Sequence, residues 1–241
     1  MRGAAFTLAE VLITLGIIGV VAALTIPNLI SKYEKRVIET GFKKTYRELE
    51  TVIQKNNNEY GKFIDWDWAG GTGNVVKRYF AQLDLVPCRG YYSSTGPVCT
   101  LDRLYSTWYE PTLTSARGTK KQCDICVPYM SKDGRIFIFR KFGDATSLDR
   151  GIEIIVDVNG KRGRTVMGQD IFVFSINQFR AMPNRLRIGP PEGWIISATS
   201  HDTILERCGR RAPSQLYNGE DCGWLLLQNG GNFPDDYPIK F

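Results

Sequence analysis

Gly3-Ala-Ala-Phe-Thr-Leu-Ala-Glu-Val-Leu-Ile-Thr-Leu-Gly-Ile-Ile-Gly-Val-Val-Ala-Ala-Leu-Thr-Ile-Pro27 is the stretch from which the rest of the chain is read. From Val11 to Ser31 no residue carries a charge. At about 1.5 Å of rise per residue, these roughly 21 residues span about 31 Å as a helix, which matches the hydrocarbon core of a bilayer. Glu10 sits at the edge of this block, where a carboxylate costs a few kcal/mol and needs a partner or a reason.

Three readings compete. A secretory signal peptide would have only Met1-Arg2 as its charged region and an apolar part longer than usual. Its first small-residue cleavage site, Ala22-Ala23, is followed by more apolar sequence rather than a polar start. A plain membrane anchor leaves Glu10 unexplained. A leader cut before the apolar block, with Phe6 as the new N-terminus, puts Glu10 one helical turn from a cationic amine.

The run Ala5-Phe6-Thr7-Leu8-Ala9-Glu10-Val11-Leu12-Ile13 resembles the processing motif of type IV pilins and type II secretion pseudopilins. The resemblance implies that a prepilin peptidase cuts between Ala5 and Phe6 and methylates the new amine. Ala5 replaces the family's usual Gly, and a cut after Gly3 would put Glu10 out of register. The likeness extends to Gly19 and Pro27, where family members carry a helix-loosening Gly and Pro, and more lightly to the last stretch, Asn232 to Phe241. It implies a pilin-like α+β fold, a long N-terminal helix whose second half packs on an antiparallel sheet. The expected divisions are a leader at 1–5, an apolar membrane and assembly half-helix at 6–31, an amphipathic half-helix at 32–60, and an extracytoplasmic globular domain at 61–241. The implied partners are copies of this chain and related subunits in a helical filament, the prepilin peptidase and an inner-membrane assembly platform. The implied location is the bacterial inner membrane, N-terminus inside, and then a periplasmic or surface filament.

Arg2 agrees with that orientation, whereas Lys32, Lys35 and Arg36 beyond the apolar block oppose it on charge counting. The motif is the more specific signal. Gly16, Gly19 and Ala23 recur at spacings of three and four on one helical face, where small residues permit close helix–helix approach. Pro27 lacks a backbone donor and should kink or loosen the helix.

Past the apolar block the helical pattern continues. Val37 or Ile38, Phe42, Tyr46, Leu49 and Ile53 form an apolar stripe, Lys44 and Glu48 are placed to pair, and Gly61 is the stop signal after Asn56-Asn57-Asn58. Asn74 to Leu85 reads as a short amphipathic helix with Asn74 as its cap. Pro87 to about Gly118 reads as long loop with short strands. Val127–Met130 and Arg135–Arg140 read as a hairpin about the turn Ser131–Gly134, followed by β-rich runs at 151–158 and 170–176. Strands without alternating helices predict an antiparallel sheet.

The net charge is +6 and the pI about 9.0. The cations are spread along the chain, so a nucleic-acid partner is not expected. Asp157, Asn159 and Asp170, with Gly160 and Gly163 nearby, offer hard oxygen ligands in a turn and form a candidate calcium (Ca2+) site; pseudopilin-like relatives carry a similar Asp-x-Asn-Gly loop. The alternative is a turn in which Asp157 and Asn159 bond their own backbone. No other cofactor is implied. Six cysteines in an exported domain favour disulfides, and fifteen pairings are open. Cys88 with Cys99, Cys123 with Cys126, and Cys208 with Cys222 close the shortest loops. A single Cys-x-x-Cys and one histidine, His201, argue against zinc or redox chemistry.

An enzyme is not expected: no nucleophile elbow appears, and Gly70-Gly71-Thr72-Gly73 lacks the lysine and strand of a phosphate loop. Aromatic pairs such as Trp66 with Trp68, Tyr91-Tyr92 and Trp108-Tyr109 read as core or subunit contacts rather than a ligand groove. The expected function is that of a structural subunit of a pilus-like filament or secretion pseudopilus. The rivals are a minor tip pilin acting as adhesin or DNA-uptake receptor, and a membrane-anchored extracytoplasmic enzyme.

Overall fold

The first helix, α1, runs from Leu8 to Tyr60 without interruption, 53 residues with Pro27 inside it. Gly61, at φ +81°, ends it as the stop signal predicts. The structure, a computed structural model, describes residues 7–88, 126–142, 151–160, 167–177, 186–188, 200–208 and 221–239. The chain forms two compact units, Met1–Val37 and Ile38–Lys240, so the amphipathic part of α1 belongs with the sheet it covers.

In the first unit the apolar side chains of α1 are exposed, from Leu8 to Ile30. The helix is long and apolar enough to cross a membrane. The polar side chains in this span turn back on their own helix: Thr14 donates to the Val11 carbonyl, Thr25 to Val21 and Asn28 to Leu24. This is how hydroxyl and amide groups are satisfied where no water is available.

In the second unit α1 buries Ile38, Phe42, Thr45, Leu49, Val52, Ile53 and Asn56. Thr45 takes the stripe position that the apolar pattern assigned to Tyr46. Its small hydroxyl admits the Arg135 guanidinium and accepts from Nη1 at 2.8 Å. Among the described residues the sheet is antiparallel with six strands in the order β1-β2-β3-β4-β5-β6: Val86–Pro87, Cys126–Met130, Ile136–Phe142, Gly151–Asp157, Ile171–Asn177 and Arg187–Ile188. Register follows the alternation of side chains. On one face Phe139, Ile154 and Phe174 are successive partners, as are Phe137, Val156 and Phe172. Phe42 of α1 packs there, with ring centroids 4.9 Å from Phe172 and 5.9 Å from Phe174. The other face carries Ile138, Ile155 and Val173 against Cys88 and Met167. Both faces are covered, which is why every residue of β4 is buried.

The second helix, α2, spans Thr72–Tyr79 with Gly71 at its N-cap, and a 3-10 turn follows at Ala81–Leu83. This corrects the expected helix from Asn74 to Leu85. Gly70 turns the chain at φ +79° and the cap falls at Gly71, three residues before Asn74, which places Asn74 inside the helix. Trp66 and Trp68 are core, as read: Trp66 stacks on Tyr79 at 4.4 Å and Trp68 meets Phe63 edge-on at 5.1 Å. Tyr91, Tyr92, Trp108, Tyr109 and most of the expected loop from Pro87 to Gly118 lie outside the described residues. Two helices, α3 (His201–Cys208) and α4 (Cys222–Gln228), follow in the C-terminal part of the described residues.

Helix and sheet approach closely at Gly41, where an added Cβ would lie 2.6 Å from the Val158 carbonyl oxygen. Gly41→Ala is expected to lower stability by about 1–2 kcal/mol, because this overpacking outweighs the roughly 1 kcal/mol that Ala gains as a helix former. Urea unfolding of the full chain in detergent measures it. An unchanged midpoint would mean that the β4–β5 turn yields freely.

Candidate functional site

The head of α1 is built as a capping box. The Thr7 N–H and hydroxyl donate to Glu10 Oε2 at 2.9 and 2.8 Å, and the Glu10 N–H donates to the Thr7 hydroxyl at 3.3 Å. Thr-x-x-Glu ahead of an apolar run is the sequence signature of this device. It supplies a local partner for Glu10, which reading that carboxylate only as the partner of an amine leaves out. Ala5 and Phe6, the expected cleavage pair, lie outside the described residues. Gly16 and Gly19 are on the helix with open space where a Cβ would be, so close approach by another helix is sterically open there.

Asp157, Asn159 and Asp170 come together at the end of β4 and the entry to β5. Asp157 Oδ1 accepts from the backbone N–H groups of Asn159 (3.2 Å) and Gly160 (2.8 Å), and Asn159 Nδ2 donates to Asp170 Oδ2 at 3.2 Å. The self-bonded turn is therefore present. Gly160, at φ +65°, lies so close to the Gly134 carbonyl oxygen that no Cβ fits. Both carboxylates are buried. Burial, and then the neighbouring Asp170, push Asp157 up to about 8, against the lowering effect of its two N–H donors. Asn159 Oδ1 is buried and has no hydrogen-bond partner among the described residues. Two carboxylates and an amide oxygen are the right kind of donor for calcium, although with one oxygen from each they fill at most half of the roughly six to eight positions it takes. Among the described residues no cluster of three or more His, Cys, Asp or Glu side chains forms a metal site.

Cys208 and Cys222 form a disulfide joining α3 to α4. It is buried against Gly168 and Ile239, and an added Cβ on Gly168 would lie 2.8 Å from Ile239 Cδ1. Cys88 is also disulfide-bonded. Cys99 and Cys123 lie outside the described residues, and Cys126 opens β2. His201 is exposed and meets Asp236 at 2.8 Å; that hydrogen bond raises its pKa, as expected of a surface ion pair. The loop at Gly70–Gly73 borders an open cleft of about 450 Å³ lined by Asp67, Asn74, Lys77 and Arg78, in which Arg78 is paired with Asp67.

An ion network absent from the pairwise sequence reading ties α1 to the β2–β3 turn. Lys44 is 3.8 Å from Glu48, the expected partner, but 2.7 Å from Asp133. The nearly buried Arg135 reaches Glu48 at 2.7 Å and Asp133 at 2.9 Å. Burial opposes ionisation of Asp133, but bonds from Arg135, Lys44 and Ser131 prevail and hold it well below the usual carboxylate range. Its partners are separated by almost ninety residues, so no local pattern reveals it.

No family model matches this chain, and no curated protein or solved structure matches it.

Proposed function

We propose that this chain is a structural subunit of a type IV pilus-like filament or type II secretion pseudopilus, cut between Ala5 and Phe6 and assembled through its N-terminal helix. The observation that carries this reading is α1 itself. One helix joins an exposed apolar half, capped by Thr7 and Glu10 directly after the expected cut, to an amphipathic half buried on an antiparallel sheet. The apolar half serves first as membrane anchor and then as the shared core of a helix bundle. Gly16 and Gly19 allow neighbouring helices to approach. In this reading the globular unit stands outside the cytoplasm, where the Cys208–Cys222 disulfide is chemically at home. The protein's work is assembly, with copies of itself and related subunits as partners, an inner-membrane platform as the machine and a prepilin peptidase as the processing enzyme.

Intact-mass and N-terminal peptide analysis of assembled material tests it. The expected product begins at Phe6 with a methylated amine. An intact Met1 in assembled material, or a cut near Ala23, overturns the assignment.

A further inference from the structure

The uncharged run ends at Ser31, and the next six residues, Lys32-Tyr-Glu-Lys-Arg-Val37, hold three cations and one acid. A run of about 31 Å places Lys32 at the boundary of the hydrocarbon, and Lys35 and Arg36 about 5 Å further on, within the headgroup layer. Spacings of three and four put Lys32, Lys35 and Arg36 on one face of α1, whereas Glu34, two residues from Lys32, points to the opposite side. Lys32, Glu34 and Arg36 are exposed and Lys35 is half-buried. Between Glu10 and Glu34 the chain has no acid. Tyr33 is 66% exposed, an amphipathic ring at the depth where such rings partition. Glu39, four residues beyond Lys35 and on the same face, accepts the Phe233 backbone N–H at 3.0 Å and leaves that face with three cations to one acid.

We infer that Lys32, Lys35 and Arg36, with Tyr33 beside them, form a collar that binds the phosphodiester headgroups of anionic phospholipids in the leaflet where α1 leaves the membrane. The inference rests on the membrane anchoring proposed above, but not on its orientation. It gives a use to the same cations that oppose the N-in arrangement on charge counting. Cations on one helix face at headgroup depth attract anionic lipid, and their long stems let the charges adjust to the phosphate plane. Salt screens such contacts.

The test places the full-length protein in phosphatidylcholine bilayers with trace spin-labelled phosphatidylglycerol or phosphatidylcholine, and measures the motionally restricted fraction of each. The expected preference for the anionic lipid is about fivefold at low salt, equivalent to about 1 kcal/mol. It should fall to near unity in about 0.5 M salt with the unaltered protein, and at low salt in the variant K32Q/K35Q/R36Q. Equal association of the two lipids, or a preference that survives in the triple variant, overturns the collar alone. Loss of the unaltered protein from neutral bilayers in an alkaline wash overturns the anchoring and the collar with it.

Discussion

Glu10→Ala and Glu10→Gln are expected to enter the membrane and to be cut before Phe6 as the parent chain is, yet to yield about a hundredfold less filament. In the proposed reading, cleavage leaves a cationic amine on Phe6, and methylation preserves its charge. In a bundle of staggered helices that amine can approach Glu10 of a neighbouring subunit in a medium of low dielectric, where opposite charges attract and a lone carboxylate costs several kcal/mol. In that reading only the correct stagger buries both charges together, and the pair sets register. Losing about 3 kcal/mol of that preference corresponds to the stated hundredfold. The capping box sharpens the comparison. Gln keeps an acceptor for the Thr7 N–H and hydroxyl, whereas Ala removes it. If charge is what matters, both variants fail together. Filament yield from Glu10→Gln equal to the parent, with only Glu10→Ala failing, would assign Glu10 to helix capping instead. The measurement is filament recovered from cells that lack the unaltered protein.

The second large effect is on pH dependence. Asp157 is held at about 8 in the folded chain and ionises near 4 when unfolded. A raised carboxylate favours the protonated fold, so its contribution is complete below about pH 4 and is lost as pH climbs towards 8. The loss is on the order of a few kcal/mol. In the presence of chelator, the melting temperature of the protein should therefore fall between pH 5 and pH 8.5, and Asp157→Asn should flatten that part of the profile. Calcium reverses the sign if Asp157, Asn159 and Asp170 share an ion, because a cation favours the ionised pair. It would then raise the melting temperature at pH 8.5 in the parent and not in Asp157→Asn. No calcium response leaves the loop as a turn with a shared proton. A flat parent profile in chelator contradicts the raised carboxylate itself.

What the sequence discloses here depends on range. The apolar block, the stop at Gly61 and the strands at 126–130, 136–142, 151–157 and 171–177 are periodic over a few residues, and each is found where its period places it. The Cys208–Cys222 pairing is legible for a similar reason, since it closes a short loop. Asn56 is different. It reads as the polar end of a helix, yet it is buried and donates to the Tyr79 carbonyl at 2.6 Å, tying α1 to α2. Arg135 likewise reads as a strand-edge cation and proves to be the hub of a network spanning the sheet and α1. Such polar contacts are set by tertiary packing, for which a single sequence has no period. Helices α3 and α4 are short, and their apolar faces pack against each other and against Tyr237 and Ile239. The Thr7–Glu10 box, by contrast, was there to be read from its spacing.

Every described strand of the sheet pairs with its neighbour in the sequence. From β2 onward the chain therefore builds its β-structure from successive local steps, whereas β1 reaches β2 across a much longer connection. The C-terminal segment does the opposite. The Phe233 N–H donates to Glu39 and Lys43 donates to Asn232, contacts that bridge nearly two hundred residues. Those bonds can form only after the last strand has emerged and found its place. A chain delivered from its N-terminus would thus fold strand by strand, and its tail would return to α1 as the final event, so that only a finished subunit is closed.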